Sequence, residues 1–177
     1  MLYAILGIIS VISIILLFIT IYYNKFRFAI IKIDEAENNI DILFEKKIQL
    51  LERTRPIIKK ELKLKEFLDD IEFLHETQIN HFEMNNSLKE LHNELNKTLD
   101  EHEKLHKSEA LTSIVEEINS NEEAILGSTK FYNDNVVIFN QLVSGFPSSL
   151  VGLIWGYKKK EFYNNEKKEM YEILNEK

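Results

Sequence analysis

Residues Leu2 to Tyr22, LYAILGIISVISIILLFITIY, carry no charged side chain. Wound as an α-helix they reach about 31 Å, the thickness of a bilayer's hydrocarbon core. The stretch is therefore read as a membrane span. A secretory leader would place Lys or Arg ahead of a shorter apolar run and small residues at a cleavage site, and the segment has neither. No Lys or Arg precedes the span, while Lys25, Arg27 and Lys32 come after it. Positive flanks stay inside, so the expected topology is a single-pass protein of the cell membrane, N-terminus outside and the remaining domain cytoplasmic. Tyr22, Tyr23 and Phe26 are expected either at the membrane interface as aromatic anchors or as ordinary helix residues.

The chain beyond the span amounts to one domain within a total of 177 residues. Five glycines and two prolines leave too few turn formers for a β fold, so the expected class is all-α. Cysteine is absent, which removes disulfides, thiolate metal sites and a Cys nucleophile. A formal net charge of −7 with no basic stripe argues against a nucleic-acid partner.

From Phe26 onward, apolar or small residues recur at three and four: Phe26, Ala29, Ile33, Ala36, Ile40, Leu43, then Leu50 and Ile57. This is the seam of a long amphipathic helix continuous with the span, interrupted at Lys47 and Thr54. Pro56 is expected to kink it near its end. A second helix reads through Phe67, Leu68, Ile71, Leu74, Ile79 and Phe82. The Asn pair in MNNSLKE signals a turn, and Ser87 with Glu90 has capping-box spacing, so a third helix should begin at Leu88, its seam Leu88, Leu91, Leu95, Leu99 and Leu105. A fourth should run from an N-cap at Ser108 to Ser144, with Gly145 as C-terminal cap and Pro147 preventing continuation. The first and fourth helices each measure about 55 Å and the middle two about 28 Å. With short connections this is an antiparallel up-down bundle of about four helices whose last member returns to the bilayer.

The expected organisation is an anchor over residues 1–23, a helical bundle over 24–145, a membrane-proximal apolar segment with a lysine cluster over 146–163, and a charged helix or tail over 164–177. Phe146, Pro147, Leu150, Val151, Leu153, Ile154, Trp155 and Tyr157 in that third part, with Lys158, Lys159 and Lys160 after them, admit two readings. They lie in the headgroup region facing anionic lipid, or they close the bottom of the bundle with the lysines solvated.

Two blocks resemble the LemA family of membrane-anchored helical proteins. The first, Tyr23 to Leu51, carries Tyr23-Asn24, Ala36, Ile40-Asp41, Lys46-Lys47 and Leu50. The second carries Glu122, Ile125, Tyr132-Asn133, Phe139-Asn140, Phe146-Pro147, Leu150, Gly156-Tyr157 and Phe162. The resemblance covers residues 1 to about 163, thinly between about 60 and 110. It departs where the family has Pro-Asn, here Glu52-Arg53 with the proline at Pro56, and where it has Tyr-Pro, near His102-Glu103. It implies one N-terminal span, a cytoplasmic helical bundle and no established enzymatic activity.

Tyr132-Asn133 and Phe139-Asn140 stand one heptad apart, placing the aromatics on one stripe and the amides on the next. Either the amides form a polar ladder toward a partner or toward Asn24 and Asp41, or they set helix register; register is the expectation. The segment HEKLH, His102 to His106, fits H-E-x-x-H. On a helix the two histidines would share a face and could hold zinc, with Glu103 as base and Glu122 or Glu123 as third ligand. No strand is available to bind a substrate edge-on, so solvated or half-buried histidines are the preferred reading. No cofactor and no small-molecule substrate is expected. The expectation is a non-enzymatic scaffold at the cytoplasmic face, contacting membrane lipids and unidentified proteins, copies of itself included. The alternative is membrane remodelling by shallow insertion of residues 146–160.

Overall fold

The computed structural model describes residues 1–76 and 81–163. The expected tail and Ile79 of the expected second helix lie outside the described residues. Among the described residues the chain is all-helical: α1 (Leu2–Leu62), α2 (Ile71–Glu76), α3 (His81–Glu101), a 3-10 turn (Glu103–Lys107), α4 (Glu109–Ser144) and α5 (Ser148–Trp155).

The apolar run and the first bundle helix form one continuous helix, α1, which passes through Pro56 to Leu62. Its first part is long and apolar enough to cross a membrane. The hydroxyls there need no outside partner. Ser10, Ser13 and Thr20 donate to the carbonyls of Leu6, Ile9 and Leu16, at 2.9, 2.9 and 2.8 Å.

The chain divides into two compact units, one of residues 37–130 and one built from residues 1–36 with the chain from Phe131 onward. In the 37–130 unit, α1 and α4 run antiparallel. Asn39 donates to Ser128 at 2.7 Å, the Asn121 amide donates to the Leu43 carbonyl at 2.9 Å, and Arg53 meets Glu117 at 3.7 Å. The α1 seam is buried at Ile40, Phe44, Ile48, Leu51 and Ile58. Lys47 and Thr54, expected as interruptions, are buried members of that seam. Each is accommodated by a partner: Lys47 binds Glu122, and the Thr54 hydroxyl donates to the Leu51 carbonyl at 2.7 Å.

Three expectations need correction in this unit. The second helix begins at Ile71, not near Phe67, because Lys63 and Leu68 adopt left-handed φ of 56° and 51°. Asp69 holds the intervening turn, accepting from Arg55 at 2.6 Å and Lys59 at 2.7 Å. The third helix does not start at Leu88; α3 runs unbroken through Asn85, Asn86 and Ser87. Asn85 falls on the buried seam three residues before Leu88, and burial of that face outweighs the turn tendency of the Asn pair. HEKLH is not α-helical either. His102 leaves the helical region, at φ −133° and ψ 81°, and the residues after it form the 3-10 turn. That turn sends Leu105 into the core. At three residues per turn, positions four apart do not stack on one face.

Candidate functional site

The unit containing the apolar run is built on aromatic contacts. Phe26, one turn past Tyr22 and fully buried, meets Phe139 of α4 at 5.7 Å edge-on and Tyr157 at 4.8 Å, while Phe139 and Tyr157 stand 5.9 Å apart. Such a three-ring cluster combines large apolar burial with quadrupole-matched geometry. Tyr23 lies 5.1 Å from Trp155. Within this unit, then, the end of α5 sits beside the residue that closes the apolar run.

The turn that delivers α5 is short. α4 stops at Ser144, and α5 leaves at 94° to it. Gly145 comes directly after α4 as expected, donating to the Gln141 carbonyl at 2.7 Å. A Cβ there would stand 2.8 Å from that same oxygen, so close backbone approach is what requires glycine. Pro147 is joined to Phe146 through a cis peptide and precedes α5, whose first residue Ser148 donates its hydroxyl to the Gly145 carbonyl at 2.9 Å. Pro147 ends α4, but a second helix, rather than an irregular segment, comes after it.

α5 has two faces. Ser148, Val151 and Gly152 are buried, and a Cβ on Gly152 would come within 3.3 Å of the Phe26 ring. On the opposite face Leu153 is 80% exposed and Ile154 65%, with Leu150 and Trp155 also exposed, and Phe146 in the turn ahead of the helix is 85% exposed. Spacings of three and four put Leu150, Leu153 and Ile154 on one stripe of α5. The outward stripe is thus the more apolar of the two. Gly156 closes α5 in the left-handed region at φ 68°. Its N–H reaches the Leu153 carbonyl and the N–H of Tyr157 reaches that of Gly152, the Schellman arrangement that reverses a chain at a helix end.

Beyond Gly156, residues 157–163 run back as a non-helical strap. Here the asparagines find their partners. The Asn140 amide donates to the Lys160 carbonyl at 2.9 Å while its Oδ1 accepts from the Lys160 N–H at 2.8 Å. Asn133 Oδ1 accepts from the Tyr163 N–H at 2.9 Å. The Tyr132 hydroxyl donates to the Glu161 carbonyl at 3.3 Å, and its ring meets that of Tyr163 at 5.8 Å. The spacing fits. One heptad of helix rises about 10.5 Å, and three extended residues, Lys160 to Tyr163, advance about 10 Å. These amides clamp the backbone of the chain's own strap.

The other expected residues are spread over both units. Tyr22 packs on Phe18 at 4.7 Å and lies beneath the Lys25 ammonium at 5.1 Å. Lys158 and Lys159 are exposed and Lys160 half-buried. Asn24, with Lys25, Phe28, Ile138, Gln141 and Leu142, lines an apolar groove of about 670 Å³ between α1 and α4. In the 37–130 unit Ile40 is buried and Asp41 exposed. Among the described residues no group of three or more His, Asp or Glu is placed to hold a metal ion. Glu122, a candidate third ligand for His102 and His106, instead pairs with buried Lys47 and lies 4.0 Å from His92.

That last cluster escaped the sequence reading. Burial holds the Lys47 ammonium below its ordinary pKa, with Glu122 opposing. Burial, then the charge of Lys47, lowers that of the His92 imidazole, with Glu122 and Asn119 opposing. Its one visible signal was a lysine falling in register on an apolar seam.

Compared with known families, the chain matches the model described as the LemA family over residues 37–173. No curated protein and no solved structure matches it.

Proposed function

This chain belongs to the LemA family, and from that premise we propose that it is a non-enzymatic, single-pass membrane protein whose helical bundle holds other proteins at the cytoplasmic face. The apolar run of α1 supports the anchor. The basic residues Lys25, Arg27 and Lys32 just beyond it support a cytoplasmic bundle. HEKLH, drawn into a 3-10 turn, favours a non-catalytic role.

The observation that carries the interaction role is the groove between α1 and α4, where Phe28 is 63% and Ile138 49% exposed. Two helices flanking an apolar furrow offer the seat that an amphipathic helix of a membrane-associated partner takes. A photo-reactive amino acid placed at Phe28 or Ile138 in intact cells should form discrete protein adducts, while one at exposed Glu123 should not. Adducts to lipid alone, or none, would remove the reading.

A second reading, in which oligomers of the chain reshape the bilayer, is favoured by the apolar stripe that α5 leaves exposed beside the anchor. It predicts tubulated vesicles in electron micrographs after reconstitution at high protein-to-lipid ratio; vesicles that stay spherical count against it.

A further inference from the structure

We propose that α5 is an interfacial helix lying in the headgroup region of the leaflet from which the anchor emerges, with anionic phospholipid as its partner and the Asn133–Asn140 clamp as the device that sets its attitude. The inference rests on the membrane-anchored reading of α1 and adds the surface, the lipid class and the positioning residues.

Continuity is the first argument. Trp155, the last residue of α5, sits 5.1 Å from Tyr23, so the exposed stripe of α5 adjoins the end of the uncharged run of α1. A tryptophan and a tyrosine stacked at that level are the side chains that partition to a bilayer's boundary, apolar in body and polar at one edge. Direction is the second. α5 leaves α4 at 94°, so a helix approaching the bilayer along its normal hands over to one lying in its plane. Its inner face is fixed against Phe26 by Gly152, which keeps Leu150, Leu153 and Ile154 turned outward.

Charge is the third argument. Lys158 and Lys159, directly after α5, and Lys25 and Arg27, directly after the span, are all exposed. Against a chain of net charge −7, this basic collar at one level suits an anionic leaflet. The clamp completes the picture. A helix of eight residues with one turn of contact would swivel about its ends. By tying Lys160 and Tyr163 to α4, the two asparagines fix the exit of α5 as firmly as Gly145 fixes its entry. They are positioning residues: neither is expected to touch lipid.

Trp155 is the only tryptophan in the chain, which makes the test direct. The full-length protein is reconstituted into vesicles of phosphatidylcholine with or without phosphatidylglycerol, and its fluorescence is quenched by lipids brominated at shallow or deep acyl positions or by aqueous acrylamide. Shallow bromines should quench most strongly, and more so with phosphatidylglycerol present. Lys158→Gln with Lys159→Gln should erase the phosphatidylglycerol increment. Leu153→Asp with Ile154→Asp should shift quenching several-fold toward acrylamide, and Asn140→Ala should broaden the depth profile without loss of helix signal. A Trp155 quenched by acrylamide and not by bromines, or a profile indifferent to the Leu153 and Ile154 changes, overturns the proposal while the protein still resists alkaline extraction. Extraction by alkaline carbonate overturns the anchored reading itself.

Discussion

Lys47 is 1% exposed and survives in the core because Glu122 reaches it. Removing one member of a buried pair leaves the other charged and unpaired, which costs far more than the pair contributes. Glu122→Ala should therefore destabilise the protein by about 3 kcal/mol, while Lys47→Met combined with Glu122→Leu should recover most of that loss. Urea titration of the detergent-solubilised protein, monitored by circular dichroism, measures both; equal losses in the single and double variants would contradict the account. The same residue shows where a sequence is legible and where it is not. Periodicity placed Lys47 and Thr54 on the inner face of α1, but a one-dimensional pattern carries no information on a partner 75 residues away, so both looked like gaps in the seam. Asn133 and Asn140 repeat the lesson. Their shared stripe came from heptad spacing, yet their ligand is a backbone, and a backbone has no sequence signature to search for.

At the scale of elements, long helices were legible and connections were not. α4 began after Ser108 and ended before Gly145 because a hydroxyl cap and a close-approach glycine act locally. The connection from α1 to α2 depends instead on residues distant in sequence, Arg55 and Lys59 converging on Asp69. Hydrogen bonds from Lys59, then from Arg55, lower the Asp69 carboxyl from 3.8 to about 2. With the folded pKa below the unfolded one, the unfolded chain binds more protons between those values, so stability rises with pH there. The contribution of Asp69 is complete above pH 3.8 and disappears as pH falls toward 2. Acid titration should show the wild type losing stability more steeply across that window than Asp69→Asn, which is weakened at neutral pH but flatter in acid. Parallel profiles would rule out Asp69 as the holder of the turn.

For the whole molecule, family, helical class and a span-length apolar segment were readable because each rests on features distributed over many residues. The groove was not, since two helices must be brought side by side before Phe28 and Ile138 line one surface. The division of the chain has a temporal corollary. Residues 37–130 form one unit in a single stretch, whereas the other needs residues 1–36 together with those from Phe131 onward. Domains complete in the nascent chain fold as they emerge from the ribosome. The intervening unit can thus assemble early, with Phe26 lacking its ring partners until translation has passed Phe139 and Tyr157. The apolar run of α1 is synthesised first, yet the aromatic cluster that packs around Phe26, just beyond it, is among the last parts of the described fold to be completed.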